Sequence, residues 1–117
     1  MPTARMRRVN EAVKEVVSTS VAAGLKDPRV GFVTVTSVET SQDLRHSRVF
    51  VSILGDAASR DEALAGLASS RGFLQAELAS QLTLKRTPSL EFVYDESIDR
   101  GMRITELLQA EPPEDRS

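Results

Sequence analysis

The sequence predicts an α+β layer, a three-stranded sheet covered by helices, and three observations carry that reading. Apolar residues near the N-terminus recur at steps of three and four, as one face of a helix requires. Two β-branched stretches then alternate as strands do, and a longer run of leucine-bearing helix formers separates them from a last alternating segment. With 117 residues there is room for one core, because domains usually reach about 100 to 150 residues before they split.

Met6, Val9, Val13, Val16, Val17 and Val21 place one apolar face on a first helix, opposite Arg7, Glu11, Lys14 and Ser18. Thr3 is its expected cap, Gly24 its stop, and Asp27-Pro28 prevents continuation. A strand is expected from Gly31 to Thr40, with Phe32, Thr34, Thr36 and Val38 alternating with Val33, Val35, Ser37 and Glu39. After the turn Ser41-Gln42-Asp43, a second strand from Arg45 to Leu54 puts Val49, Val51 and Ile53 on one face and Arg48, Phe50 and Ser52 on the other. The two should pair as an antiparallel hairpin.

Ser59 and Glu62 have the spacing of a reciprocal cap, so a helix is expected to begin there with Leu64, Leu67 and Ala68 as its apolar stripe. Ser69-Ser70-Arg71-Gly72 interrupts it before Phe73, Leu74, Leu78 and Leu82 resume the pattern, which predicts a kink or tight turn between two helices. Thr87-Pro88 ends the region. Leu90, Phe92 and Tyr94 then alternate with Glu91, Val93 and Asp95 in a third strand. Ser97 is read as the cap of a short terminal helix carrying Ile98, Met102, Ile104, Leu107 and Leu108. The organisation expected is one domain over residues 1–108 and a flexible acidic tail over 109–117.

Composition narrows the function. Hydrophobic residues at 40% and charged residues at 27% are those of a folded globular chain rather than a disordered one. Cysteine is absent, which removes disulfides, thiolate nucleophiles and thiolate zinc cages and fits a reducing cytoplasm. No stretch approaches the roughly 20 apolar residues that span a bilayer, and the N-terminus has no apolar signal core, so neither membrane insertion nor secretion is expected. The net charge of −2 conceals a local asymmetry. Without Glu111, Glu114, Asp115 and Arg116 of the tail, the 15 basic and 17 acidic residues fall to 14 of each. The first eight residues hold Arg5, Arg7 and Arg8 and no acid, so a basic patch is compatible with a neutral body.

The element order, helix-strand-strand-helix-helix-strand, resembles the bacterial-type (type II) KH domain, in which a GxxG loop between two helices grips single-stranded nucleic acid. Here that place reads Ser69-Ser70-Arg71-Gly72, with the second glycine and not the first. A KH-like domain with a helix-kink-helix in place of the loop resembles the ribosome-binding factor A family. The resemblance runs from about Arg5 to Leu108 through Lys26-Asp27-Pro28-Arg29-Val30, Asp43-Leu44, Arg71-Gly72-Phe73-Leu74 and Pro88-Ser89-Leu90-Glu91-Phe92. It continues through Tyr94-Asp95-Glu96-Ser97 to Gly101-Met102-Arg103-Ile104. That family's kink usually reads Ala-x-Gly; Ser70 stands in the place of the alanine.

The resemblance implies a cytoplasmic, monomeric, non-catalytic assembly factor without a cofactor. Its partner would be the immature small (30S) ribosomal subunit and its 16S rRNA. It would assist late maturation and 5′-end processing of the precursor, matter for growth in the cold, and act beside assembly GTPases. At the break, Arg71 would contact phosphate, Gly72 would permit close backbone approach and Ser70 would offer a hydrogen bond. Read alone, the same residues also make an ordinary helix-to-helix turn with Gly72 as a stop.

Arg5, Arg7, Arg8, Lys14, Arg45, Arg48, Lys85 and Arg86 are the cations expected to line one RNA track, although surface charge is more commonly just a solvated face. Phe32, Phe50, Phe73, Phe92 and Tyr94 are read as core, and His46 as a surface histidine. Asp95, Glu96 and Asp99 form the best candidate for a metal or acid-base cluster, but carboxylates at the start of a helix are explained by its dipole at about 0.3 to 1 kcal/mol each. Walker A, GxGxxG and HExxH motifs are absent. Two rivals stay open: a KH-like protein adaptor using acidic surfaces, and a hydrolase built on those three carboxylates.

Overall fold

Thr3 opens the first helix in the computed structural model, which describes residues 3–97. Its hydroxyl accepts the N–H of Met6 at 3.1 Å, and α1 runs Ala4–Ala23 to Gly24, whose φ of 99° ends it as expected. Val9, Val13, Val16 and Val17 are its buried face, while Met6 and Val21 at the two ends of the stripe are only half-buried.

Two strands follow, β1 (Val33–Thr40) and β2 (His46–Ile53), paired antiparallel as predicted. Gly31 sits at φ +59°, in the left-handed region, so extended structure begins two residues later than the sequence suggests. The strict alternation expected in β1 is broken by a bulge between Val35 and Ser37. The extra residue lets Val35 and Val38, three apart, both face the core. Thr36 is the residue displaced; its hydroxyl donates to Asp95 Oδ2 at 2.6 Å and lies 3.2 Å from the Phe50 carbonyl. At the turn, Asp43 Oδ1 accepts the Ser41 hydroxyl at 2.6 Å and the Arg45 N–H at 3.1 Å, and Leu44 takes φ 60°.

The reciprocal Ser59–Glu62 cap does not form. Asp56 caps α2 (Ala57–Ser69) instead, its carboxylate accepting the Ser59 N–H at 2.8 Å. That bond, with the Ser59 side chain second, holds the Asp56 carboxyl below its usual pKa. A carboxylate at a helix N-terminus gains from the dipole as well as the hydrogen bond, which a hydroxyl cannot match. The stripe of α2 also differs from expectation: Ala63, Gly66 and Leu67 are buried, Leu64 half so, and Ala68 is exposed.

After the break, α3 (Arg71–Gln81) buries Leu74 and Leu78, and β3 (Ser89–Tyr94) lies parallel to β2 in a sheet ordered β1-β2-β3. The α2–α3 pair is the crossover that returns the chain to the start of β2, which parallel pairing demands. Helices cover one face of the sheet, where Val35, Val38, Val49, Val51, Ile53 and Leu90 meet Val13, Val17, Leu67, Leu74 and Leu78.

The open face carries exposed Arg48 opposite Glu91 and exposed His46 opposite Ser89, with His46 Nδ1 and Ser89 Oγ 2.9 Å apart. Three aromatics read as core are not core: Phe32 is 80% exposed just ahead of β1, Phe73 is 56% exposed at the start of α3, and Phe50 is half-buried on the face of β2 away from Val49 and Val51. Phe92 and Tyr94 do pack against the core, and Arg60 lies over the Tyr94 ring. Beyond Ser97, whose N–H is accepted by Asp95 Oδ1 at 3.0 Å, the expected terminal helix and the tail over 109–117 lie outside the described residues.

Candidate nucleic-acid interface

The break between α2 and α3 is a single residue. Ser70, at φ −89° and ψ 3°, leaves the helical region while its N–H still reaches the carbonyls of Gly66 and Leu67, each at 3.0 Å. Its hydroxyl donates to the Gly66 carbonyl, also at 3.0 Å. That proton is spent inside the chain, so the serine offers a ligand an acceptor.

No side chain caps α3, and the first turn of a helix carries N–H groups without intrahelical partners. Gly72 lies in that turn and is therefore not a stop. It has no positive φ, and a Cβ built on it would meet nothing within 4 Å. Neither backbone conformation nor internal packing calls for glycine there. What the missing side chain provides is access: an anion can approach bare N–H groups beside the exposed Arg71.

Across from the break, the loop that follows α1 forms a groove of about 730 Å³ with it, lined among others by Leu25, Lys26, Pro28, Arg29, Ser70 and Phe73. Two devices hold the loop. Asp27 takes Arg29 in a fork, Nε to Oδ1 at 2.9 Å and Nη2 to Oδ2 at 2.6 Å, and Oδ1 also accepts the Arg29 N–H at 3.0 Å. Gly66 supplies the floor: a Cβ there would stand 3.0 Å from Val30 Cγ2 and 3.2 Å from Arg29 Cβ.

The Arg29 side chain, then its backbone N–H, lowers the Asp27 pKa from 3.8 to about 2. Because the folded-state value is the depressed one, the contribution is present above the unfolded value and is lost as pH falls through about 2. The Asp27 carboxyl should titrate near pH 2 by NMR, and Arg29→Ala should return it toward 3.8. A midpoint near 3.8 in the unaltered chain would mean that the fork does not persist in solution.

The expected cations fall in separate places. Arg5 and Arg8 from the start of α1 share a cleft with Lys85, the walls being Val9, Ala12 and Leu84. The start of α1 thus lies beside the end of α3, and its end at Gly24 and Leu25 lies beside the break. The cleft and the break sit at opposite ends of one antiparallel helix pair, about 17 Å apart by the rise of α3.

Arg86 is exposed next to Lys85, Arg7 is exposed near the start of α1, and Lys14 is half-buried farther along it. Arg45 and Arg48 belong to the hairpin end of the sheet instead. Arg45 Nε lies 4.0 Å from Asp43 Oδ2, and Arg48 Nε lies 3.4 Å from Glu91 Oε1. Exposed pairs of this kind are worth about 0 to 1 kcal/mol, so either cation can exchange its carboxylate for a phosphate.

No sequence pattern marks Lys26, Arg29 and Phe73 for binding, although the first two stand beside a proline turn and the third beside the kink. Only their proximity across the groove marks them. In the carboxylate cluster, Asp95 is engaged by Thr36 and by both the N–H and hydroxyl of Ser97, which is the pattern of a structural corner. Asp99 lies outside the described residues.

A sequence model of the family described as Ribosome-binding factor A matches residues 5–108. A relative of that name from Geobacter sulfurreducens is 44% identical over 105 residues, covering 90% of this chain and 89% of the relative. One from Brevibacillus brevis is 46% identical over 109 residues, covering 93% and 90%. Among solved structures, the crystal structure of ribosome-binding factor A from Thermus thermophilus is similar with a TM-score of 0.67 at 28% identity, over 76% of this chain and 94% of that one. A homology model of the Thermus protein, fitted into a cryo-EM map of its complex with the 30S subunit, gives a TM-score of 0.60 at 29% identity, over 73% and 89%.

Proposed function

The chain belongs to the ribosome-binding factor A family, and from that membership we propose that it is a non-catalytic assembly factor for the small ribosomal subunit. It binds the immature 30S particle through 16S rRNA in the cytoplasm, as a monomer. There it assists late maturation and 5′-end processing, and it departs when the particle is complete. Residues 1–108 act as one RNA-binding domain, residues 109–117 as an accessory tail, and assembly GTPases work beside it. The Thermus relative placed on a 30S particle supports the choice of partner.

The observation that carries the reading is the bare first turn of α3. A domain-length family match surrounds a helix break at which Gly72 has no internal reason to be glycine. Arg71 and the open N–H groups supply a phosphate site there. Arg5, Arg8, Lys85 and Arg86 supply a second at the far end of the α1–α3 pair, with Arg7 on the same first turns of α1 and Lys14 farther along it. Such contacts give affinity without reading sequence, which suits a factor that docks on a folded particle. Arg45 and Arg48 would touch RNA only where it also reaches the hairpin end.

Sedimentation of tagged protein with cell extract tests the proposal. The protein should follow free small subunits, leave translating ribosomes, and dissociate steeply as salt rises. Folded protein that shows no affinity for immature small subunits at low salt would refute the function.

A further inference from the structure

Among the described residues Phe32, Leu54 and Phe73 are the large apolar side chains left exposed, and of these Phe73 lines a groove. Its neighbour Leu74 is fully buried and anchors α3 to the core, whereas Phe73 stands 56% exposed in the wall of the groove beside the break. A single exposed aromatic is ordinary on a protein surface; Phe73 is distinguished by sharing the lining of one groove with the cations Lys26 and Arg29. The groove volume of about 730 Å³ falls within the roughly 300 to 1,000 Å³ of small-ligand clefts. Its walls are apolar at Leu25 and Pro28, and its rim is cationic at Lys26 and Arg29.

We infer that this groove receives one unpaired nucleobase, stacked on Phe73, with the adjoining phosphates held by Lys26 and Arg29. The inference rests on the RNA-binding function proposed above and adds to it a base-binding subsite across from the phosphate site at Arg71 and Gly72.

The chemistry of the walls favours a base over a peptide. A peptide in a groove needs main-chain partners or a run of apolar anchors. At the break the Ser70 N–H is bonded to Gly66 and Leu67 and the Ser70 carbonyl accepts the Leu74 N–H at 3.0 Å, so what the first turn of α3 leaves open is N–H donors without matching carbonyl acceptors, which suits an anion rather than a peptide strand. A base needs only a flat face to stack on, and a neighbouring cation for the phosphate that comes with it. Arg29 remains able to serve while gripping Asp27, because the fork uses two of the five guanidinium N–H groups. The fork itself fixes the guanidinium at the rim. Gly66 keeps the loop close enough for the two walls to enclose a ring, since a Cβ there would press on Val30 and Arg29.

The sequence contains no tryptophan and one tyrosine, so Phe73→Trp places a single tryptophan in the groove of the full chain, excited selectively at wavelengths that tyrosine does not absorb. Its emission should be quenched by a short oligoadenylate at low salt, and much less by an abasic ribose-phosphate oligomer of equal length. Phe73→Ala should weaken oligoadenylate binding about tenfold, the loss expected for one stacked base, without changing the salt slope, since no phosphate contact is removed. Phe73→Tyr should restore binding and Phe73→Leu should not.

Equal quenching by the base-bearing and abasic oligomers overturns the subsite, as does unchanged affinity in Phe73→Ala. Emission that responds to intact immature subunits but not to their deproteinised RNA overturns it too, and identifies a protein occupant. In each of these cases wild-type protein that still sediments with immature subunits leaves the ribosome-binding function standing. Wild-type protein that fails to sediment with them at low salt overturns both.

Discussion

Reversing the charge at Arg5, Arg8 and Lys85 together should lower affinity for immature small subunits on the order of a hundredfold near 0.1 M salt. The three residues come from opposite ends of the described chain, yet they line one cleft. Each phosphate contact releases condensed counterion, so each one lost should flatten the plot of log affinity against log salt by about 0.9. The triple variant should therefore show both weaker binding and a slope shallower by close to three units. The two changes together separate a lost electrostatic footprint from simple misfolding, which would leave the slope of the remaining folded protein intact.

Sedimentation across a salt series reads both quantities. Wild-type slope and affinity in the folded triple variant would remove this cleft from the RNA track and leave the helix break as the principal contact. Reversal at Arg48 alone should matter less. Its guanidinium already shares the open sheet face with Glu91 at 3.4 Å, and the cleft and groove at the two ends of the helix pair do not include it.

The largest effect on stability is expected from Leu67→Ala, at about 2 to 5 kcal/mol. Leu67 is fully buried in α2 and belongs to the cluster that includes Val13, Leu74 and Leu78. Truncation removes its transfer energy and leaves a cavity that surrounding elements cannot fully close, because α2 is held at one end by the Asp56 cap and at the other by Ser70. Urea unfolding should show a lower midpoint with an unchanged m-value. Phe73→Ala, measured beside it, should be nearly neutral, since most of that ring is already in water. A Phe73→Ala loss as large as that of Leu67→Ala would place the ring in the core and close the groove to a ligand.

The two residues also show how far sequence reaches. Leu67 and Phe73 are both large apolar residues in helix-forming surroundings, and residue type alone assigns both to the core. Helical phase separates them: at about 100° per residue Leu74 returns to within about 20° of Leu67, whereas Phe73 falls about 120° away, so Leu74 turns inward and Phe73 outward. The bulge in β1 overrides phase instead: one extra residue at Thr36 brings Val35 and Val38 to a common face. The bulge has no local signature strong enough to announce it. The cap of α2 departs from the spacing rule for a different reason. Ser59 and Glu62 satisfy a spacing rule, but Asp56 three residues earlier offers a stronger acceptor, and competition between two valid caps is settled by charge.

What the sequence by itself determined was the element order, the hairpin, the start and end of α1, the existence of a break at Ser70-Arg71-Gly72, and the family. These depend on local conformational preferences and on periodic burial, both of which act within a few residues of one another along the chain. Tertiary structure alone decided which distant groups share a surface. It put Lys26 and Arg29 opposite Phe73, put Arg5 and Arg8 beside Lys85, and set Arg45 and Arg48 apart on the hairpin. The physical reason is that α1 and α3 pack antiparallel through valine and leucine faces that specify only contact between helices. The polar groups they carry meet as a consequence of that packing, with no periodicity of their own to reveal it.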